Sequence, residues 1–257
     1  MSEQSYLSIY AKSFNWAGFF LPKQTYLKCS ALYDFCRVVD NIADSNETIE
    51  IKKIKFLDFQ QNFNNHKFDD PIIKNMWQLI NEFNIPLKVV HDLLDGINSD
   101  IQKNIKLNKK KDLLLYSYRV AGTVGLMMAK ILRVNKKSSL KSAIDLGIAM
   151  QLTNISRDVV EDLNFGRSYI NLNFEEIRST IELSENYYRN SFYSIKEIPF
   201  TFRFAILVAR RVYRKIGYKI LRKQNLEDYR KSGKIYVSNI EKIIETLLSI
   251  FDLIKLS

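Results

Sequence analysis

Two copies of the pattern Asp-x-x-x-Asp are the residues of this sequence best suited to chemistry. The first pairs Asp40 with Asp44, and the second pairs Asp158 with Asp162. On a helix, residues four apart share a face, so each pair would place two carboxylates about 5–6 Å apart. Like charges at that spacing repel, and a bound cation would relieve the repulsion. Oxygen ligands of this kind suit Mg²⁺, which typically bridges a few carboxylates to substrate phosphates.

A single Asp-x-x-x-Asp on a helix is more often a solvated surface than a metal site. Two features argue against that alternative. Each pair lies among apolar residues rather than in a run of charges, and each has an arginine beside it, Arg37 or Arg157. Guanidinium groups bind phosphate oxygens through paired hydrogen bonds, and metal ions neutralise charge on a departing diphosphate. The two motifs together therefore predict a diphosphate site.

The helix that would carry the first motif is predicted from Pro22 to Asp44. Apolar residues recur there at steps of three and four, which is typical of a face packed in a core. Tyr33 and Arg37 fall on another line of the same helix, together with Asp40 and Asp44. We therefore expect one face to build the core and the other to line a cavity.

Residues 138–163 form the predicted helix of the second motif. Gln151 and Asn154 precede Asp158 and Asp162 at steps of three, four and four, so these polar side chains share one line of an otherwise apolar helix. Such a line must face water, a partner or a site, because burying polar groups without partners is costly.

A third helix, predicted over Lys111–Leu132, contains small residues at four-residue steps: Ala121, Gly125 and Ala129. Glycine inside a helix costs about 0.5–1 kcal/mol relative to alanine, so something should offset it. One alternative is close packing of two helices. The other is a groove left open for a long apolar ligand, with adaptable methionine side chains as lining.

The composition favours long helices. The chain has 257 residues, 46% of them hydrophobic, and only 8 Gly and 4 Pro to form turns. We predict an all-α fold in a single domain over residues 1–257. The predicted helices are a short one containing Ser13 and Phe14, then Pro22–Asp44, Ile51–Phe63, Ile72–Phe83, Leu87–Lys103, Lys111–Leu132, 138–163, Phe174–Tyr193, Phe200–Lys223 and Val237–Lys255. Asp100 is interpreted as solvated or supporting, and the polar tract Lys223–Lys234 as loop or fraying helix.

Other functions and locations find less support. No glycine-rich phosphate loop occurs, so no nucleotide cofactor is expected. The formal charge of +11 would suit nucleic acid, anionic lipid or an anionic substrate, but no nucleic-acid motif accompanies the lysines and nucleic acid is not an expected partner. Cys29 and Cys36 lie about 10 Å apart along one predicted helix, too far for a disulfide, which favours reduced thiols and the cytoplasm. Without a long apolar run, only peripheral membrane contact is expected.

The sequence resembles the squalene/phytoene synthase family. Three blocks carry most of the resemblance: ALYDFCRVVDNIAD, VAGTVGLMMAKIL and QLTNISRDVVEDLNFGRSYI. It runs from Ser13 to Tyr213, and the last two blocks look most like bacterial phytoene synthases. Members of this family are head-to-head prenyltransferases with an all-α isoprenoid-synthase fold, in which two Asp-rich helices face each other across a central cavity. The resemblance implies that fold here.

Matching positions imply roles for individual residues. The implied metal ligands, for Mg²⁺ or alternatively Mn²⁺, are Asp40, Asp44, Asp158 and Asp162. Other implied catalytic residues are Arg37, Tyr33, Tyr116 and Tyr169. The implied substrate-binding residues are Ser13, Phe14, Val120, Ala121, Gly125, Gln151, Asn154, Arg157 and Tyr213. The region after Tyr213 aligns poorly, so either Arg230 or Lys234 corresponds to the family's C-terminal diphosphate contact.

The implied reaction joins two geranylgeranyl diphosphates through a cyclopropyl diphosphate to give phytoene, for carotenoid biosynthesis. The alternatives are a squalene or dehydrosqualene synthase that uses farnesyl diphosphate, and a non-catalytic relative that acts in assembly. The reaction also loses a proton, which either a tyrosine hydroxyl or the released diphosphate would accept. The expected location is the cytoplasm with peripheral contact to the inner membrane, and the sequence does not indicate an oligomeric state.

Overall fold

A computed structural model describes residues 6–7, 12–102, 104–107 and 109–256. Helices dominate these ranges, which confirms the predicted all-α class. The helices are α1 (Lys12–Gly18), α2 (Lys23–Asp44), α3 (Ile49–Asn64), α4 (Pro71–Phe83), α5 (Leu87–Ser99), α6 (Lys110–Ser117), α7 (Thr123–Ile131), α8 (Lys137–Asn164), α9 (Phe174–Phe192), α10 (Phe200–Leu221), α11 (Leu226–Lys231) and α12 (Asn239–Lys255). Strands β1 (Ile105–Lys106) and β2 (Arg167–Ser168) form a short parallel pair.

Prolines begin several helices, as their fixed backbone angle and missing N–H favour. Pro22 caps α2 and Pro86 caps α5, while Pro71 is the first residue of α4. Asp70 strengthens the start of α4, because its side chain accepts a hydrogen bond from the backbone N–H of Ile72 at 2.8 Å. The predicted starts of these three helices are therefore confirmed to within a residue.

Three segments differ from the prediction. Helix α5 ends at Ser99, before the predicted end at Lys103, which lies outside the described residues. The helix predicted over Lys111–Leu132 contains a π-helical turn, Tyr118–Gly122, between α6 and α7. The polar tract after α10 includes the capped helix α11, so its interpretation as loop or fraying helix was wrong for that part. Tyr229 anchors α11, because its buried hydroxyl lies 2.9 Å from two backbone carbonyl oxygens of α8, those of Ser156 and Arg157.

Two clusters of buried apolar side chains form the core. One includes Phe35, Phe63 and Trp77, from α2, α3 and α4. The other includes Ile155 and Tyr188, from α8 and α9. Helix α8 packs against α7, α9 and α10, and so connects the helices around both clusters. The assignment of the chain to one domain stays a prediction.

The line of small residues allows two helices to approach closely. A Cβ atom added to Gly125 of α7 would lie 2.2 Å from the carbonyl oxygen of Ala143 in α8. A Cβ added to Gly147 of α8 would lie equally close to the carbonyl oxygen of Ala121. Real side chains do not approach backbone oxygens to that distance, so close packing offsets the cost of glycine in these helices.

Replacing Gly125 with alanine is expected to lower the free energy of unfolding by about 1–3 kcal/mol, as overpacking of an interior does. Urea unfolding would measure the change. Gly217→Ala is the matched control, since its added Cβ would meet a methyl group of Ile181 at 3.2 Å rather than backbone. Equal effects of the two substitutions would contradict the assignment to the helix crossing.

Candidate active site

The first Asp-x-x-x-Asp motif lies in the last two turns of α2. Burial, and then the neighbouring charge of Asp44, raises the pKa of Asp40 to about 7. Arg37 lies 3.9 Å from an Asp44 oxygen and opposes that rise. Tyr33, about two turns before Asp40 on the same helix, has its pKa raised by burial and so keeps its proton. The motif therefore places a carboxyl group where water solvates its charge poorly.

The second motif lies near the end of α8, and there an arginine already binds one carboxylate. Arg157 donates to both oxygens of Asp158, with Nε 2.8 Å from Oδ1 and Nη2 2.5 Å from Oδ2. Lys234, after α11, places its Nζ 3.6 Å from Asp158 Oδ1. One turn further along α8, burial and the charge of Asp158 raise the pKa of Asp162 to about 7.

Arg167 links the two motif-bearing helices. Its Nη1 donates to Asp44 Oδ1 at 2.8 Å, and its Nη2 donates to the carbonyl oxygen of Ala43 at 3.1 Å. The chain reaches this position through Gly166, whose φ of 72° suits glycine, and pairing with Ile105 then holds the strand in place. Thus a residue that follows the second motif binds the first.

One carboxyl group of each motif responds to the same two neighbouring charges. The charge of Asp100 raises the pKa of both Asp40 and Asp162, whereas the charge of Arg167 lowers both. Because such effects weaken with distance, Asp40 of α2 and Asp162 of α8 both lie within electrostatic reach of Asp100 and Arg167. One carboxyl group of each motif therefore shares these two charged neighbours.

Asp100 accepts hydrogen bonds from two tyrosines. Tyr116 and Tyr169 stack with ring centroids 4.5 Å apart, and each hydroxyl donates to one Asp100 carboxylate oxygen at 2.7 Å. Burial raises the pKa of Asp100 to about 6, although Arg167 and the tyrosine hydrogen bonds oppose the rise. Of the two alternatives for Asp100, solvated or supporting, the structure favours the supporting one.

Sequence reasoning missed Arg167 as a functional residue. It stands in the third block of the resemblance, directly after Gly166, but its spacing distinguishes it from no other basic residue. Its position directly after the glycine predicted to end the motif helix is the one signal that could have identified it.

A cavity of about 380 Å³ adjoins the aspartates. Residues from α1, α2, α7, α8 and α10 form its walls, which are mostly apolar. Asp40 belongs both to the carboxylate centre and to the cavity wall, and Gln151 and Asn154 add polar groups from α8. Phe14 packs on Tyr213 across α1 and α10, with ring centroids 4.7 Å apart. A charged site therefore adjoins an apolar cavity.

The predicted site residues divide between these two regions. Those that line the cavity are Phe14, Tyr33, Asp40, Val120, Ala121, Gly125, Gln151, Asn154 and Tyr213. Those outside its lining are Ser13, Arg37, Asp44, Tyr116, Arg157, Asp158, Asp162 and Tyr169. Ala121 and Gly125 both line the cavity and contact α8. Both alternatives for the line of small residues, close helix packing and an open groove, therefore apply. The individual roles of these residues stay predictions.

The carboxylates of the two motifs suit a hard divalent cation. In the described part of the chain, no three His, Cys, Asp or Glu side chains are grouped tightly enough to hold a metal by themselves. Burial, and then the charge of the second aspartate of the same motif, nevertheless raises the pKa of Asp40 and of Asp162, and a bound cation would relieve that repulsion. The donors are all oxygens, which suits an ion that also takes ligands from water and phosphate.

Comparison with known proteins identifies the family of this chain. The family model described as squalene/phytoene synthase matches residues 7–173, which span both motifs. The chain belongs to the squalene/phytoene synthase family. The squalene/phytoene synthases are prenyltransferase-like enzymes that bind prenyl diphosphates, and the resemblance predicted from the sequence is confirmed.

Relatives and solved structures within the family differ in product. This squalene/phytoene synthase is 30% identical over 247 residues to 15-cis-phytoene synthase of Enterobacter agglomerans, covering 84% of this chain and 83% of that protein. It is 31% identical over 192 residues to 4,4'-diapophytoene synthase of Staphylococcus haemolyticus, covering 69% and 67%. The crystal structure of a dehydrosqualene synthase with ligand superposes with a TM-score of 0.79 at 29% identity, covering 98% of this chain and 95% of that one.

Proposed function

We propose that this squalene/phytoene synthase joins two geranylgeranyl diphosphates head to head, through a cyclopropyl diphosphate, to give phytoene. The observation that carries the proposal is that Arg167, just after the second Asp-x-x-x-Asp motif, binds Asp44 of the first, while Asp40 lines an apolar cavity. The charged part suits two diphosphates and the cavity suits prenyl chains. Similarity to 15-cis-phytoene synthase over most of the chain supports the twenty-carbon substrate.

The charged part would hold the diphosphates and Mg²⁺, with Mn²⁺ as an alternative. When bound, the metal supplies the charge neutralisation that lets a diphosphate leave its prenyl carbon. The proposed ligands are Asp40, Asp44, Asp158 and Asp162. Arg37 and Arg157 would share the same phosphate oxygens, because each already lies beside a carboxylate of its motif.

Lys234 is proposed as the C-terminal contact to diphosphate. Its Nζ lies 3.6 Å from Asp158, so it reaches the same space as the second motif. Arg230 lies exposed in the last turn of α11. The buried hydroxyl of Tyr229 holds α11 against α8 and so keeps Lys234 near this place.

The cavity would position the prenyl chains and exclude water. Phe14, Val120 and Gly125 would contact the tails, and the faces of Tyr33 and Tyr213 would stabilise a passing allylic cation by about 0.5–2 kcal/mol each. Tyr116 and Tyr169 are held by Asp100 outside the cavity lining, so we assign them to positioning the residues around Arg167 rather than to contact with the tails.

A second candidate function is synthesis of a thirty-carbon hydrocarbon from two farnesyl diphosphates. The likeness to a dehydrosqualene synthase over nearly the whole of both chains favours it. A non-catalytic role in assembly is the third alternative, and the four aspartates present here argue against it.

Product analysis tests these proposals. Purified protein is incubated with Mg²⁺ and either geranylgeranyl or farnesyl diphosphate, with and without NADPH. Pyrophosphate release is followed, and the hydrocarbon is identified by mass. We expect a forty-carbon product that needs no NADPH. A thirty-carbon product made preferentially from farnesyl diphosphate would overturn the proposal, and a folded protein that releases no pyrophosphate would favour the assembly role.

We also propose peripheral contact with a membrane at its cytoplasmic face. A long hydrocarbon product is insoluble in water and must be delivered to a bilayer. Among the described helices, none has the length and apolar character needed to cross a membrane. The net charge of +11 would favour a leaflet that contains anionic lipids.

A further inference from the structure

Helix α12 has its polar side against the protein and its apolar side toward solvent. Its exposed apolar residues, here called the α12 face, are Ile240, Ile243, Ile244, Leu247, Leu248, Ile250, Phe251 and Ile254. Ile240 is 73% exposed, Leu247 57% and Phe251 61%. A helix of a water-soluble domain normally turns such residues inward, so this face is built for contact with something apolar.

Ion pairs hold the opposite side of α12 on α10. Glu241 binds Lys219 at 2.8 Å, and Asp252 binds Arg211 at 2.7 Å. Glu245 shares Arg211 at 3.1 Å. The acidic side chains of α12 are therefore paired at the contact with α10, and turning the apolar face inward would break these pairs and leave the partly buried Arg211 without its carboxylate partners.

The α12 face is large. From Ile240 to Ile254 it extends about 21 Å along the helix. Its eight exposed aliphatic and aromatic side chains present an apolar area on the order of 600–800 Å², more than the roughly 300–600 Å² of the largest patch on a typical monomer. Such an area is enough for stable docking.

One helix separates the α12 face from the cavity. Trp16 of α1 donates from Nε1 to the Thr246 hydroxyl of α12 at 2.9 Å. Phe14 and Ala17, also on α1, line the cavity. Phe19, directly after α1, is exposed like the α12 face. An apolar layer packed against α12 would therefore lie next to α1, which forms part of the wall of the cavity that we propose holds prenyl chains.

The charge near the α12 face is basic. Lys255 is exposed in the last turn of α12, and Lys12, the first residue of α1, is also exposed. Lys12 lies close enough to Lys242 for its charge to add to burial in lowering the pKa of Lys242. Two copies of this chain that met through the face would bring like charges together. An anionic surface would instead attract them.

We propose that the α12 face is the surface by which the protein lies on an anionic lipid bilayer. This inference deepens the membrane contact proposed above by naming its residues, and it rests on that proposal. Apolar side chains would enter the boundary between headgroups and acyl chains, while Lys12 and Lys255 would bind phosphates. The bilayer then receives an apolar product one helix away from the cavity.

Vesicle binding by two matched double variants tests the inference. The first, Leu247→Gln with Phe251→Gln, removes the centre of the α12 face. The control, Ile54→Gln with Leu57→Gln, changes two side chains of α3 that are exposed to a similar extent, 67% and 53%. Binding to phosphatidylglycerol–phosphatidylcholine vesicles and to pure phosphatidylcholine vesicles is measured by sedimentation without substrate. Circular dichroism and pyrophosphate release in detergent show that each variant remains folded and active.

We expect the wild type and the α3 variant to bind anionic vesicles alike, and the α12 variant to bind at least tenfold more weakly. Equal binding of both variants would overturn the assignment to α12 while leaving membrane contact intact. Equal binding of the wild type to neutral vesicles would overturn the role of the lysines. A wild-type dimer that the α12 variant dissociates, with unchanged vesicle binding, would assign the face to a second copy. Pyrophosphate release is scored separately, so failure of the catalytic proposal is distinguishable.

Discussion

The Asp40→Asn variant is expected to release pyrophosphate about 10³-fold more slowly than wild type at limiting Mg²⁺, since a metal ion contributes several kcal/mol of charge stabilisation and each 1.4 kcal/mol changes a rate tenfold. The amide keeps the shape of the side chain but removes its charge. Asp158→Asn should behave similarly, because it carries the equivalent position of the second motif. Initial rates over a range of Mg²⁺ concentrations would measure the effect.

The control for these variants is Asp95→Asn, which removes an exposed carboxylate from α5. Its rate should match wild type. The thermal unfolding midpoint of the Asp40→Asn variant should not fall, because the pKa of Asp40 is raised in the folded protein and folding already disfavours its charge. Wild-type rates for both motif variants at limiting Mg²⁺ would refute the assignment of these aspartates to metal binding.

The Arg167→Lys variant is expected to lose on the order of 10²-fold in the rate of pyrophosphate release. The guanidinium binds Asp44 and the Ala43 carbonyl oxygen together, and a lysine ammonium cannot reproduce that planar pair of donors. We expect the positive charge to survive but the two motifs to lose their alignment. Steady-state kinetics with saturating Mg²⁺ would separate this effect from weaker metal binding.

Arg214→Lys provides a matched control for the Arg167 variant. Arg214 of α10 also binds a carboxylate, Glu185 of α9, through two guanidinium nitrogens, but Glu185 belongs to neither Asp-x-x-x-Asp motif. The control should keep its rate. If both variants lost activity equally, the loss at Arg167 would reflect general destabilisation rather than alignment of the motifs.

The helices were predictable because their signals are local. Pro22 and Pro71 mark helix starts, and the steps of three and four in α2 and α8 place the aspartates on one face. The partners of those aspartates were not predictable in the same way. Arg167 meets Asp44 from 123 residues away, and no periodicity within either segment contains that information. Tertiary packing decides which of many basic residues completes the site.

The orientation of α12 was also beyond sequence reasoning. Its apolar residues follow a helical period, so the prediction of a helix over Val237–Lys255 was nearly right. A helical period does not state which face is buried, and the usual assumption places apolar residues inside. Here the ion pairs of Arg211 with Glu245 and Asp252 reverse that assumption.

The π turn at Tyr118–Gly122 changes the direction, around the helix axis, in which the side chains before it point relative to those after it. A π turn accommodates one extra residue, which is equivalent to rotating everything before it by about 100° relative to a regular helix. This phase shift lets Tyr116 face Asp100 while Gly125, two turns later, faces α8. Deleting one residue from the turn would make the helix more regular and would carry the tyrosine away from its carboxylate.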